Sequence, residues 1–181
     1  MKRLVTVAVT LAFVVLGPVA TALADGPAIV TFSGAISETN RDPVNERTHG
    51  LFAHHGIAFD KGYQLSREDL SALPQTNYED DIPRAEGTYS GPLLTDLLDR
   101  VGASGNHLVI TGLDGFGAEF DLTVVDQHQP IIAIAVDGEP LSVGELGPAK
   151  LVFPKTGDAE LDKELRSKGV WALFHVAVVE D

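Results

Sequence analysis

The chain has 181 residues, no cysteine and a formal net charge of −13. A chain of this length forms one ordinary domain and buries a core without disulfides. The missing cysteine excludes a thiol nucleophile, a disulfide and any thiolate–metal bond, and the strong negative charge argues against nucleic acid or anionic lipid as a partner.

The first 24 residues have the pattern of a cleavable secretory signal peptide. Lys2 and Arg3 give a positive start, residues 4–16 are apolar apart from two threonines, and Ala22-Leu23-Ala24 is a small-x-small cleavage site. The apolar run is shorter than the ~20 residues that a spanning helix needs, which disfavours the alternative of a membrane anchor. The sequence therefore predicts export to the periplasm of a mature chain, residues 25–181.

The mature chain contains no repeat or linker, so we expect one domain. Its first half predicts a strand over residues 29–36, a long polar loop over residues 37–62 and a short helix that starts at a capping box, Ser66-Arg67-Glu68-Asp69. The clearest helix has Pro92 at its first position, five apolar residues on one face and Gly102 as its stop signal.

The second half of the chain predicts mostly strands. Alternating or continuous apolar residues indicate strands over 107–111, 116–122, 131–136, 150–153 and 170–179, with a turn at Asp137-Gly138-Glu139-Pro140 and a charged helix over 158–166. The run 131–136 is apolar throughout and is expected to be one central strand. The predicted fold class is α+β: a mostly β domain with a mixed sheet and short helices.

Few residues suggest chemistry by themselves. His49, His54, His55 and Asp60 have side chains that bind metals, but they match no metal-binding motif and adjacent histidines rarely ligate one ion, so a solvated loop is the favoured interpretation. No Ser-His-Asp set, phosphate loop or dinucleotide-binding glycine motif occurs in the sequence. We therefore assign neither a catalytic residue nor a metal ligand.

Two aromatic positions leave alternatives open. Asp114-Gly115-Phe116 is a tight turn by composition, and it could also present Asp114 and Phe116 to a pocket. Trp171 is the only tryptophan, and such a residue is more often in the core, although its indole N–H needs a partner. The role of Arg84, a cation in an acidic chain, is also open: it could hold an oxyanion of a ligand, or it could form ordinary surface ion pairs.

The order of several segments resembles the oxidoreductase molybdopterin-binding domain, which has the sulfite-oxidase-type fold, in its small exported form. The resemblance covers roughly residues 28–180 and rests on these segments: Phe32-Ser33-Gly34-Ala35-Ile36, Leu70-Ser71-Ala72-Leu73-Pro74-Gln75, Tyr89-Ser90-Gly91-Pro92-Leu93-Leu94, Asp114-Gly115-Phe116, Asp137-Gly138-Glu139-Pro140-Leu141, Gly147-Pro148 to Pro154, and Val170-Trp171-Ala172-Leu173.

The departure from this family is informative. In its enzymes a cysteine between the first helix and the Gly-Pro-Leu helix ligates molybdenum, whereas the corresponding residues 76–89 contain none. Small exported relatives bind a pterin and signal its presence to a membrane-bound cyclic-di-GMP enzyme. The resemblance thus implies a non-catalytic, periplasmic protein that binds pterin or molybdopterin, without cysteine-ligated molybdenum, and acts in ligand sensing.

The expected pterin-binding residues are those of suitable type near the matched segments. A carboxylate accepts the ring's donor pair, aromatic side chains cover its face and a cation meets its carbonyl; these residues are Asp114, Phe116, Tyr89, Arg84 and Trp171. Two alternatives remain. One is a molybdopterin-dependent oxidoreductase that lacks the usual cysteine ligand, which the absence of a twin-arginine signal disfavours. The other is an interaction module without a small ligand.

Overall fold

Eleven strands and five helices form the part of the chain that the computed structural model describes, residues 26–180. The strands are β1 Ala28–Gly34, β2 Gly62–Ser66, β3 Thr76–Asp80, β4 Gly87–Gly91, β5 His107–Gly112, β6 Gly117–Asp121, β7 Ile131–Ala133, β8 Ala135–Val136, β9 Glu139–Pro140, β10 Lys150–Val152 and β11 Leu173–Val179. The helices are α1 Gly50–His54, α2 Arg67–Ser71, α3 Leu94–Arg100, α4 Leu122–His128 and α5 Ala159–Ser167. The predicted signal peptide lies outside the described residues.

The largest sheet has five strands in the order β2-β1-β11-β5-β6. It is mixed, because β1 and β11 run parallel while the other neighbours are antiparallel. The sequence of β11 is almost continuously apolar, as expected for a central strand covered on both faces. Together with the short helices, this sheet confirms the predicted mostly β, α+β fold.

The apolar run over residues 131–136 does not form the single central strand that its composition predicts. Its first half, β7, pairs with β10, whereas its second half, β8, lies between β4 and β9 in a separate four-stranded sheet. Between them Ile134 donates its N–H to Ser90 and accepts from Leu141, so the chain changes partners there. A uniformly apolar sequence has no periodicity to mark such a change.

The predicted turn that follows is confirmed. Asp137 and Gly138 have φ of 50° and 85°, and they join β8 to β9 as a two-residue hairpin. Left-handed backbone at both central positions is what an Asp-Gly hairpin turn requires.

Side-chain hydrogen bonds cap the starts of two of the predicted helices, α2 and α5. Ser66 and Asp69 exchange the two hydrogen bonds of a capping box at the start of α2, and Asp158 accepts the N–H groups of Glu160 and Leu161 at the start of α5. Helix α3 ends before Gly102, whose φ is +61°. It starts at Leu94, so the predicted placement of Pro92 at its first position is wrong by two residues.

Helices α1 and α4 were not predicted. Helix α1 is one turn within the long segment between β1 and β2, and α4 follows β6 directly at Leu122, which the alternation of apolar residues had assigned to the strand. Both helices are short, and neither has a side-chain hydrogen bond at its N-cap. Among residues 26–180, no helix combines the length and the apolar character needed to cross a membrane.

An aromatic cluster packs the segment over residues 37–62 against the main sheet. The Arg41 guanidinium lies 4.7 Å from the centroid of the Phe52 ring and 5.8 Å from that of Phe59. Both rings also contact the imidazole of His175 on β11, which is buried and lies 2.9 Å from the Ser33 hydroxyl. The predicted long loop is therefore packed against the domain.

Candidate functional site

The main pocket has a volume of about 720 Å³. One wall is the end of β3 with the loop that joins it to β4, and the opposite wall is α5. Strand β10 and the residues after it form the floor, while Trp171 and the turn at Asp114 form part of the mouth. The pocket thus lies where the small sheets, α5 and the edge of the large sheet meet.

Aromatic side chains lie at the mouth. Trp171 is 50% exposed and Phe116 is 46% exposed, although both are large apolar residues. The indole Nε1 of Trp171 donates a 2.6 Å hydrogen bond to Oδ2 of Asp114, and Oδ1 of the same carboxylate accepts the backbone N–H of Phe116 at 3.0 Å. Asp114 therefore fixes the turn and holds the indole ring in place.

A buried ion pair lies at the floor. Lys150 Nζ is 2.8 Å from Asp80 Oδ2, and the two side chains are only 7% and 8% exposed. The same ammonium lies 3.9 Å from the centroid of the Tyr89 ring, which is fully buried beneath it. Asp80 Oδ1 accepts the N–H of Ile82, so the carboxylate is also held by the loop after β3. Both residues line the pocket.

Exposed charged side chains at the rim of the pocket form ion pairs with one another. Asp81 lies 3.1 Å from Lys155 and 3.0 Å from Arg166, which links the β3–β4 loop to α5. The hydrogen bond and charge of Lys155 are the main reasons that the pKa of Asp81 is below its ordinary value. Arg84 adds a further cation to the rim on a left-handed backbone, with φ of 72°.

Four of the five predicted binding residues come together at this pocket. Arg84, Asp114, Phe116 and Trp171 line it, although they come from distant parts of the chain. Tyr89 does not line the pocket: its ring lies behind Lys150 and its hydroxyl donates to the carbonyl of Ala85. Of the two interpretations of Trp171, the core position is wrong, because half of the side chain is exposed.

The family comparison covers most of this pocket. Residues 83–167 match the model of the oxidoreductase molybdopterin binding domain. The match supports the molybdopterin-binding oxidoreductase domain that the order of segments indicated. Its fold is the sulfite-oxidase type that the order of segments predicted. A search of curated proteins gave no significant match. Trp171 and Asp80 lie outside the matched residues, on either side of them.

The matched domain implies molybdopterin binding, and the pocket has residue types that suit the organic part of that ligand. Aromatic rings, apolar side chains and four cations surround enough space for a flat ring with a polar substituent. The hairpin of β3 and β4 has no cysteine, and the hairpin and its loop contribute Asp80, Asp81 and Arg84 to the pocket. Within residues 26–180 no group of three His, Cys, Asp or Glu side chains is placed to hold a metal.

Among the described residues, the three loop histidines do not form part of a metal-binding group. His49 Nδ1 accepts the backbone N–H of Asn45, while the rings of His54 and His55 contact each other edge to face at 5.2 Å. His55 also packs against Phe174. His54 and Asp60 are exposed whereas His49 and His55 are half-buried, so the loop that was expected to be solvated is solvated only in part.

Sequence reasoning missed the buried pair of Lys150 and Asp80. One signal was available for Lys150, since it is the only charged residue in the run from Ala149 to Phe153, which otherwise forms a buried strand. A lysine in such a run has to find a counter-charge. Asp80 gave no such signal because it belongs to an acidic stretch.

Proposed function

We propose that this protein binds a pterin in the pocket between Trp171 and Lys150 and acts without catalysis. The observation that carries the proposal is the combination of an exposed aromatic mouth with a buried polar floor in a domain of this family that has no cysteine. A pterin is a flat ring with hydrogen-bonding groups along one edge, so it suits stacking at one side and polar contacts at the other.

The aromatic mouth supports the stacking part of the proposal. Exposed apolar side chains that lie together at a pocket commonly mark a binding surface, and Trp171 and Phe116 line the same pocket. Because Asp114 holds the indole by its N–H, the Trp171 ring is oriented before any ligand arrives. A ring that is already ordered loses little conformational entropy on binding, which favours affinity.

We further propose that the protein works in the periplasm and reports pterin to a membrane-bound partner, a cyclic-di-GMP enzyme or another sensor. Export is supported by the signal-peptide pattern of residues 1–24. Signalling is supported by the exposure of Trp171 and Phe116, which line the pocket and lie at the surface. A ligand under Trp171 changes the surface that a partner meets.

The identity of the ligand is tested on protein purified from the periplasm of its native host. The protein is denatured, the released small molecules are identified by mass spectrometry, and molybdenum is measured by elemental analysis on the same sample. We expect a metal-free pterin. Stoichiometric molybdenum would instead support the alternative, a molybdopterin-dependent oxidoreductase, while a ligand-free protein that also fails to bind added pterins would contradict the proposal.

The signalling role is tested in cells. Pterin is added to cells that produce the wild-type protein or the Trp171→Ala variant at equal periplasmic levels, and cyclic-di-GMP is measured. We expect a pterin-dependent change only with the wild-type protein. The same response in both strains would contradict signalling through this pocket, even if pterin binding itself were established.

A further inference from the structure

We propose that Lys150 and Asp80 form a recognition pair for the lactam edge of the ligand, the adjacent carbonyl and N–H of an oxo-substituted ring. This inference rests on the proposed function, because it identifies which part of the pterin the floor of the pocket selects. It also adds two residues to the binding site that the order of segments did not indicate.

Both members of the pair have hydrogen-bonding capacity left. The Lys150 ammonium has three N–H donors, of which one is used by Asp80 Oδ2 at 2.8 Å. The Tyr89 ring covers the ammonium on one side at 3.9 Å, and the pocket lies on another. Each oxygen of the Asp80 carboxylate accepts more than one hydrogen bond, and one oxygen is held by Ile82 N–H at 3.1 Å.

Packing alone does not account for this pair. The chain neighbours of Lys150, Ala149 and Leu151, are fully buried and apolar, and a buried ion pair is often no more stabilising than apolar residues of the same size. The surface cations Lys155 and Arg166 make their pairs at the exposed rim, where desolvation costs little. A charged pair kept at the floor of a pocket therefore points to a polar ligand.

The geometry selects the kind of ring edge. An ammonium donor and a carboxylate acceptor lie side by side, and a lactam presents a carbonyl acceptor beside an N–H donor. The ammonium then donates to the carbonyl while the carboxylate accepts the ring N–H. A 4-amino ring presents an amino donor to the ammonium and an acceptor ring nitrogen to the carboxylate. Neither hydrogen bond can then form. Because the pair is neutral as a whole, it suits a neutral ring.

The experiment compares two ligands, a pterin with its 4-oxo group and the matching 2,4-diaminopteridine, at a pH where both rings are neutral. Calorimetry gives the affinity of each for the wild-type mature protein, for Lys150→Met, and for the double variant Asp80→Asn with Lys150→Met. Lys150→Met leaves the buried carboxylate of Asp80 without its partner, which destabilises the fold. If this variant folds poorly, the double variant still tests the inference, because it removes both charges. Lys163→Met, on the exposed side of α5, is the matched control.

We expect the wild-type protein and the control to prefer the 4-oxo ring by about tenfold or more, and both floor variants to lose most of that preference. A wild-type protein that binds both rings equally would overturn the inference without any variant. Variants that keep the wild-type preference would overturn it as well. Failure of the wild-type protein to bind either ring would contradict the proposed function itself.

Discussion

The indole Nε1 of Trp171 donates a 2.6 Å hydrogen bond to Asp114 Oδ2, and the two residues are 57 positions apart in the sequence. The bond joins the turn between β5 and β6 to the segment just before β11, and both residues lie at the mouth of the pocket. A carboxylate acceptor makes this bond stronger than one between neutral groups. The orientation of the aromatic mouth therefore depends on one acidic side chain.

Replacement of Asp114 by asparagine should weaken pterin binding more than it weakens the fold. An asparagine still accepts one N–H but presents an amide donor to another, so Trp171 or the Phe116 turn loses its partner. We expect about tenfold weaker binding, about 1.4 kcal/mol, with little change in the unfolding temperature because Asp114 is exposed. Glu119→Gln, an exposed change on β6, is the control. Unchanged affinity in Asp114→Asn would contradict this role.

The buried pair of Lys150 and Asp80 predicts non-additive effects on stability. Either Lys150→Met or Asp80→Asn leaves one partner without its buried counterpart, and we expect the first of these to lower the free energy of unfolding by about 3 kcal/mol. The double variant should lose less than the sum of the two single variants. Urea unfolding of all four proteins measures the coupling. Additive losses would show that the two charges do not interact as the structure indicates.

The sequence could predict most elements because their signals are local. The capping box at Ser66, the stop at Gly102 and the Asp137-Gly138 turn each depend on neighbours within a few residues. The pocket is different, because its walls come from segments as far apart in the chain as Glu79 and Trp171. Residue type and the order of segments indicated Asp114 and Trp171, but nothing local indicates that Asp80 lies against Lys150 or that Tyr89 lies behind it.

The buried histidine on β11 should make the protein less stable in mild acid. Burial, and secondly the charge of Arg41, lower the pKa of His175 from 6.5 to about 4. The folded protein thus keeps this imidazole neutral, whereas the unfolded chain takes up a proton below pH 6.5. The stabilising contribution is complete above that pH and is lost as the pH falls towards about 4. The loss amounts to about 3 kcal/mol.

Unfolding measured across this pH range checks the assignment. His175→Gln keeps a hydrogen-bonding group near Ser33 but removes the titration, so its free energy of unfolding should fall less between pH 6.5 and 4 than that of the wild-type protein. His54→Gln, at an exposed position, should behave like the wild-type protein. Equal pH dependence in His175→Gln and the wild-type protein would contradict the assignment to His175.

Gly91, which precedes Pro92 at the end of β4, should tolerate no side chain. A Cβ at this position would collide with the backbone of Ile132 and Ala133 on β7, and a backbone contact cannot move aside. We expect Gly91→Ala to lower the free energy of unfolding by about 3 kcal/mol. Gly50→Ala is the control, because a Cβ there has open space. Similar stability of the two variants would contradict the close approach of β4 and β7.

The most direct measurement titrates the mature protein with a reduced pterin and with an oxidised pterin by calorimetry, and follows the fluorescence of Trp171 on the same samples. Trp171 is the only tryptophan in the chain, so its emission reports on the mouth of the pocket alone. We predict saturable one-to-one binding at micromolar or lower concentration, with a parallel change in emission, and weaker binding by Trp171→Phe. No saturable heat with either pterin would contradict the account.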